Sequence, residues 1–454
     1  MQRGISVISM PIFTRMLSTD EYGTYGLYIS WYMLFSLVVT LNLASEVFNK
    51  GLIDYEDERS HYSTSQSALI AVLSVCFYCL YLLLQGPINS FTGMDTLLTS
   101  LMFLDIYASS TVSLWYARKR FDYSYRPLFA VTVGISFASV LMGIVAVWLA
   151  PVGWKVVAKV ASNILPFVVV AVVVIVSFLR HSKNLFNAKW WNKSIRMGVP
   201  LVPHYASQVI LNQSDKVLIS WFLDMTSVAI YGVAHSAGLL LVMVNNGINS
   251  SLVPWLYGNL KKHDYGSIAG IANILSLTVL SLVFCLMLLA PECVAILAPE
   301  DYRGAIWCIP PIATGIVTSF VYTLFVNVEI YYGKAGYVAI ASVLSAVLNI
   351  VLNYFLIPVF GYIGSAYITA ACYLATAILH YAFMCSALRD AGVDHKVYDS
   401  HFLFLVGAIS FVCAFVSIAL YQVGVIRYAV IGAFVAVLFV FRKKIVRAVR
   451  IIRS

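Results

Sequence analysis

The sequence predicts an all-α, polytopic membrane protein with about fourteen transmembrane helices, and three observations support that fold class. The 454 residues are 61% hydrophobic and only 11% charged, whereas a soluble domain is about half apolar and about a quarter charged. The apolar residues fall into runs of about 20, the length that crosses a hydrocarbon core of ~30 Å. The basic residues lie in short blocks between those runs, as in membrane proteins.

Thirteen apolar runs are long enough to span a bilayer. The predicted spans are 25–48, 67–90, 96–116, 127–150, 154–178, 199–223, 227–256, 267–290, 305–329, 336–358, 362–386, 402–421 and 424–441. A further run, Gly4–Phe13, is too short to cross at about 1.5 Å per residue. We therefore expect a first helix that is truncated in this chain.

The spans group into two pseudo-symmetric six-helix lobes and a C-terminal helix pair. Residues 15–30 align without gaps on residues 221–236, with identities such as Tyr25/Tyr231 and Gly26/Gly232. Duplicated halves are common in transporters. The predicted organisation is an N-terminal lobe at 1–178, a cytoplasmic linker at 179–196, a C-terminal lobe at 197–388, and the extra helix pair with a basic cytoplasmic tail at 389–454.

The distribution of basic residues predicts the orientation. The formal charge of +9 could suggest a nucleic-acid partner, but the basic blocks alternate with apolar runs, so we expect none. When the loops are assigned alternately to two sides, one side receives most of the basic residues and the other only Arg15, Lys155, Arg303 and Arg427. The richer side is cytoplasmic by the positive-inside rule. Both termini are then cytoplasmic.

No cofactor or metal is expected. The eight cysteines mostly lie within or beside apolar segments, without His or Asp at ligand spacing. The chain has no Walker A loop, Gly-rich nucleotide motif or catalytic triad. These absences argue against an enzyme, and the N-terminus lacks the pattern of a cleaved signal peptide.

Ionisable side chains within the spans are candidate functional residues, because each costs about 2.5–3.5 kcal/mol to insert. Asp105 falls near the middle of span 96–116, where a structural hydrogen bond to a neighbouring helix is an equal alternative. Lys159 lies near the outer end of span 154–178 and could instead extend to the membrane surface. Glu46 and Glu329 lie near cytoplasmic helix ends, which favours boundary positions for both.

The span at 199–223 has the richest polar cluster. Gln208, Asn212, Asp215 and Lys216 are spaced i, i+4, i+7 and i+8, so they share one helix face. A polar face within a membrane must meet a partner or a water-filled cavity. The alternative is that Asp215 and Lys216 only neutralise each other.

Three stretches, 10–28, 198–238 and 341–369, resemble the polysaccharide (O-antigen type) flippases of the multidrug/oligosaccharidyl-lipid/polysaccharide exporter superfamily. The second has the Pro-Leu-x-Pro element at Pro200–Pro203 and the acidic–basic pair Asp215–Lys216, although arginine is commoner at position 216. The third has Asn349 and Asn353 one turn apart, followed by Pro358 and Gly361, which are expected to break the helix and start the next one. The resemblance covers nearly the whole chain.

This resemblance implies two lobes that rock around a central, cationic, water-filled cavity. The cargo would be an undecaprenyl-pyrophosphate-linked oligosaccharide, an O-antigen, capsule or exopolysaccharide unit, moved across the bacterial cytoplasmic membrane by alternating access. Charged and hydroxylated groups cannot cross hydrocarbon unaided. The implied substrate-binding residues are Arg15, Asp105, Lys159, Gln208, Asn212, Asp215, Lys216, Asn349 and Asn353. The expected partners are the lipid-linked oligosaccharide, the bilayer and other membrane proteins of polysaccharide assembly.

Three other functions stay open at this point. A cation-coupled drug exporter of the same fold would use a carboxylate such as Asp105 to exchange protons for substrate. A polymerase or ligase of polysaccharide assembly would need a sizeable outer loop for its chemistry, and the predicted outer loops are short. A structural subunit of a larger complex is the third alternative.

Overall fold

The computed structural model describes residues 2–436, with the side chains of residues 8–203 and 205–436. Over this range the chain is helical and contains no β-strand, so the predicted all-α class is confirmed. The basic tail and the last residues of the predicted span 424–441 lie outside the described residues. The helices are α1 (Gln2–Met16), α2 (Thr19–Thr40), α3 (Glu46–Asp54), α4 (Arg59–Leu83), α5 (Gln85–Thr92), α6 (Thr96–Phe121), α7 (Tyr125–Leu149), α8 (Lys155–His181), α9 (Ala188–Phe222), α10 (Met225–Lys262), α11 (Tyr265–Leu288), α12 (Ala290–Leu297), α13 (Ala305–Tyr331), α14 (Ala335–Asp390), α15 (Ser400–Leu420) and α16 (Gly424–Ala436).

Nine helices within residues 2–436 are long and apolar enough to cross a membrane. One of them, α14, has 56 residues and is broken at Gly361, whose backbone has φ 65° and ψ −163°. The break separates the predicted spans 336–358 and 362–386. The other predicted segments coincide with α1, α2, α9 and α16, which are shorter or more polar than those nine.

The predicted span 25–48 was wrong at both ends. Ser18 caps α2 in a reciprocal capping box with Glu21, so the helix begins at Thr19 rather than at residue 25. It ends at Thr40, because Leu41 and Asn42 adopt left-handed conformations with φ of 50°. Residues 46–54 then form the separate helix α3. Hydropathy detects apolar composition, whereas caps and left-handed residues set the boundaries.

The chain divides into two compact units between Ala229 and Ile230. In unit 1, α6 and α7 both pack on α8, and α9 packs on α2, α3 and α4. Residues 197–229, which the repeat assigned to the second lobe, therefore belong to the compact unit of the first helices. The two-lobe division of the sequence stays a prediction.

The predicted linker is docked on unit 1. Trp190 is buried, and the centroid of its ring lies 5.5 Å from that of Tyr55 and 5.7 Å from that of Tyr62. Lys193 Nζ lies 2.7 Å from Asp54 Oδ2, and Lys50 pairs with the same carboxylate. These two ammonium groups hold the pKa of Asp54 below its usual range. Aromatic packing and a charge cluster thus fix the start of α9.

In unit 2, α13 packs on α14, α11 and α15. The extra helix pair is part of this unit. Arg427 of α16 is buried and pairs with Glu292 of α12, and the Tyr421 hydroxyl after α15 donates to the carbonyl of Met287 at 2.7 Å.

Candidate functional site

A groove of about 700 Å³ opens in unit 1 between α2, α6, α7 and α9. Ten of its eighteen lining residues carry a hydroxyl group, and two, Asn42 and Gln208, carry an amide. The hydroxyl-bearing residues are Tyr32, Ser36, Thr40, Ser45, Ser109, Ser110, Ser113, Tyr116, Thr132 and Tyr205. A surface of this composition presents many hydrogen-bonding groups without charge.

One face of α6 forms the longest wall of the groove. Ser109, Ser113, Tyr116 and Arg120 recur at three- to four-residue spacing, so they follow one side of the helix. At the end of this face farthest from Arg120, called the floor of the groove, the Ser109 and Tyr32 hydroxyls are hydrogen-bonded at 2.7 Å. Arg120, eleven residues further along, lies about 16 Å away at 1.5 Å rise per residue.

The ten hydroxyl groups that line the groove form its hydroxyl wall. Five of them donate to a backbone carbonyl of their own helix. Ser113 donates to the Ser109 carbonyl at 2.8 Å, Thr40 to the Ser36 carbonyl at 2.6 Å and Thr132 to the Leu128 carbonyl at 2.7 Å. A hydroxyl has one donor and two acceptor lone pairs. With their protons directed to the backbone, these oxygens present acceptors to the groove.

Arg120 is the one charged residue among the groove-lining side chains. It is exposed at the C-terminal end of α6. Tyr205, which lines the groove, donates a hydrogen bond to the carboxylate of Glu46, which does not line it. Since the lining contains no carboxylate, the groove favours a neutral or anionic ligand over a cationic one.

Asp105 lies one helical turn beyond the groove floor. The Tyr28 hydroxyl donates to Asp105 Oδ2 at 3.2 Å, and the Ser109 hydroxyl donates to the Asp105 backbone carbonyl at 2.7 Å. The interhelical hydrogen bond considered from the sequence is therefore present. Ser109 therefore contacts only the backbone of Asp105, and the carboxyl group does not line the groove.

Lys159 is buried inside unit 1, with 4% of its surface exposed. Its ammonium group lies 3.5 Å from the centroid of the Phe13 ring and 3.0 Å from Asn163 Oδ1. Asn163 donates in turn to the Tyr25 hydroxyl at 2.7 Å. The side chain thus points into the unit, and the alternative of extension to the membrane surface was wrong.

The predicted polar face of α9 has two parts. Gln208 lines the groove, and exposed Asn212 donates to the Gln208 backbone carbonyl at 2.7 Å. Asp215 and Lys216 are buried. Gln213, which was not among the predicted residues, is also buried and accepts a hydrogen bond from Ser30 at 3.1 Å.

The remaining predicted residues are not among those that line the groove. Arg15 is exposed and donates to the Pro11 carbonyl at 2.8 Å. In unit 2, buried Asn349 donates to Thr369 Oγ1 at 3.1 Å, and buried Asn353 accepts from Ser365 at 2.8 Å. Both bonds join the two halves of α14.

The hydroxyl wall was not predicted from the sequence, because ionisable side chains within the spans are the stronger signal of a functional site. The signal was present in α6 as Ser109, Ser110, Ser113 and Tyr116, a stripe at helical spacing. Serine and threonine are common in membrane helices, where they often hydrogen-bond the preceding turn. The α6 stripe indicates a polar groove only in combination with the polar residues that α2 and α9 place opposite it.

The fold is that of known membrane transporters. Lipid II flippase MurJ in an inward closed conformation superposes with a TM-score of 0.68, at 12% identity, covering 98% of each chain. An inward-facing multidrug resistance MATE family transporter of the MOP superfamily gives 0.65 at 14% identity, covering 86% of this chain and 96% of that one. These likenesses confirm the predicted fold and a multi-pass membrane protein.

Two relatives and one family match the sequence. Lsg locus putative protein 1 of Haemophilus influenzae is 21% identical over 407 residues, which cover 82% of this chain and 94% of the relative. The probable low-salt glycan biosynthesis flippase Agl15 of Haloferax volcanii is 23% identical over 176 residues, 38% of this chain and 37% of its own length. Residues 1–258, more than half of the chain, match the polysaccharide biosynthesis protein family. The chain belongs to that family.

Proposed function

We propose that this protein is a flippase that moves an undecaprenyl-pyrophosphate-linked oligosaccharide across the bacterial cytoplasmic membrane. The membership in a polysaccharide biosynthesis family supports the pathway. The lipid II flippase fold supports the mode of action, and one relative is itself described as a probable glycan biosynthesis flippase. The protein then acts as a transporter and not as a polymerase or ligase.

The hydroxyl-lined groove in unit 1 is the observation that carries this proposal. A glycan on a pyrophosphate combines many hydroxyl groups with negative charge, and neither enters hydrocarbon without compensation. The groove offers hydroxyl and amide groups, a single cation at Arg120 and no lining carboxylate. Gln208 contributes to it directly, whereas Lys159, Asp105 and the Asp215–Lys216 pair lie in other parts of unit 1.

Alternating access is the proposed mechanism. Multidrug resistance MATE family transporters of similar fold have been captured both inward-facing and outward-facing. We expect the cargo to enter from the cytoplasmic leaflet, with both termini on that side. Arg15, Lys216, Asn212, Asn349 and Asn353 are proposed to contact it at other stages of transport.

A deletion strain tests the flippase function. Loss of the gene is expected to leave lipid-linked oligosaccharide on the cytoplasmic face of the membrane and to abolish the surface glycan. Purified full-length protein in proteoliposomes should then move a fluorescent lipid-linked oligosaccharide between leaflets. A strain with normal surface glycan and no accumulated lipid-linked precursor would contradict the proposal.

A cation-coupled small-molecule exporter is the second candidate. The observation that favours it is Asp105, a carboxylate hydrogen-bonded to Tyr28 beyond the groove floor in a fold shared with MATE transporters. An exporter would change drug susceptibility on deletion while leaving the surface glycan unaltered.

A further inference from the structure

We propose that the groove in unit 1 binds its cargo in a fixed direction, with a phosphate at Arg120 and the first sugar rings along the hydroxyl wall toward Tyr32. This inference rests on the proposed flippase function and specifies where the two parts of the headgroup bind. None of the residues predicted from the sequence as cations lies at this position.

Arg120 is the cation of its block that is available to a ligand. The sequence Arg118-Lys119-Arg120 ends α6, and Asp122 follows it. Arg118 Nε lies 3.1 Å from Asp122 Oδ1, and Lys119 Nζ lies 3.9 Å from Asp122 Oδ2. Among the described residues no carboxylate forms an ion pair with Arg120, which lines the groove. A guanidinium group presents a planar set of donors that fits phosphate oxygens in pairs.

The rest of the wall complements sugar hydroxyl groups. Ser113, Thr40 and Thr132 donate to backbone carbonyls, so their oxygens accept. A sugar ring carries several hydroxyl donors, and acceptors on facing helices can satisfy them together. A phosphate has only acceptor oxygens, so these three acceptor oxygens disfavour it and the guanidinium group of Arg120 is the better partner.

The distance along α6 sets the order of the headgroup. About 16 Å separate Arg120 from Ser109 at 1.5 Å per residue, and the Tyr32–Ser109 hydrogen bond lies at the floor. The lipid anchor is attached to the phosphate end of the cargo. It therefore stays at the open end, while the sugars extend inward from Arg120.

Direct binding to the purified full-length protein tests this orientation. The probes are undecaprenyl pyrophosphate and undecaprenyl-pyrophosphoryl-N-acetylglucosamine in detergent, with Arg120→Gln compared with Arg126→Gln. Arg126 is an exposed arginine in the first turn of α7 that does not line the groove, so it controls for net charge. We expect Arg120→Gln to bind both probes at least about tenfold more weakly than the wild type. This is the loss of affinity expected when a charge-assisted hydrogen bond is removed. Arg126→Gln should bind as the wild type does.

The hydroxyl wall has its own variant. Ser110→Ala with Ser113→Ala keeps good helix-forming residues in α6 and should weaken only the sugar-bearing probe. Arg120→Lys keeps the charge but loses the paired donors, so an intermediate affinity is expected. Arg120→Lys also takes the place of Arg120→Gln in the binding comparison if the glutamine variant does not elute as a monodisperse protein.

The outcomes separate this orientation from the flippase function. Equal affinities for Arg120→Gln and Arg126→Gln overturn the phosphate site, even if the wild type flips cargo normally. Competition by phosphatidylglycerol or inorganic pyrophosphate at the affinity of the prenyl pyrophosphate would show a general anion site and also overturn it. A wild-type protein that binds both probes but flips neither would retain the site and remove the proposed function.

Discussion

At the scale of single residues, unit 2 contains a buried acid–base pair. Glu329 of α13 lies 2.9 Å from His380 Nδ1 of α14, with side chains 0% and 1% exposed. Tyr322 stacks on the imidazole at 5.6 Å between ring centroids. The expectation of a solvated boundary position for Glu329 was wrong, because α14 continues past it to Asp390 and covers it. Its Oε2 atom has no hydrogen-bond partner among the described residues.

Removing only one member of this pair should be strongly destabilising. In His380→Leu the Glu329 side chain loses its hydrogen-bond partner while it stays buried, and an unsatisfied buried polar group costs about 1–3 kcal/mol of unfolding free energy, more when it is charged. The thermal midpoint of the detergent-solubilised protein should fall accordingly. The double variant Glu329→Met/His380→Leu should recover most of that loss, since apolar replacements of both partners are often neutral. A stable His380→Leu single variant would show that the pair contributes little.

At the scale of elements, α14 is a helical hairpin held together by side-chain hydrogen bonds. Asn349 bonds Thr369, Asn353 bonds Ser365, and Thr376 donates to Ser345 at 2.7 Å. The turn between the halves depends on Gly361, since its combination of φ 65° and ψ −163° is essentially restricted to glycine.

Gly361→Ala should therefore destabilise unit 2 by about 1–3 kcal/mol, the cost of a strained backbone conformation. Gly336→Ala is the matched control. Gly336 lies in the first turn of α14 with a helical backbone, and a Cβ atom added there would meet no other atom within 4 Å. Alanine also favours the helix more than glycine does. Thermal unfolding in detergent should show a lower midpoint for the first variant only. Equal midpoints would mean that the turn tolerates a Cβ.

The sequence predicts the helices better than it predicts what their polar residues do. Spans such as α6 and α13 follow directly from apolar length, because membrane insertion depends on summed hydropathy. The break at Gly361 was also predicted, from Pro358 and Gly361. Asn349 and Asn353 carry amide groups of the kind that bind sugars, which is why the sequence favoured a substrate-binding role. Only the structure shows that their hydrogen-bond partners lie on the other half of α14. The direction in which an amide points depends on tertiary packing.

At the scale of the whole molecule, the proposed transport depends on which side of the membrane each loop occupies. Basic residues are concentrated in the loops assigned to the cytoplasm, including 118–126 and 179–196, and few lie in the loops assigned to the other side. Arg120, at the open end of the groove, belongs to the basic side. Orientation and cargo capture are therefore linked, because a cytoplasmic lipid-linked glycan can reach Arg120 only if that side faces the cytoplasm.

Cysteine labelling tests this orientation in the full-length protein. Val152, between α7 and α8, is 92% exposed, and Lys183 is exposed between α8 and α9. The native cysteines all lie within helices, so the unsubstituted protein provides the background signal. A membrane-impermeant maleimide should label Val152→Cys in intact cells and Lys183→Cys only after permeabilisation. The reverse pattern would place Arg120 on the outer face, where it could not capture cargo made in the cytoplasm.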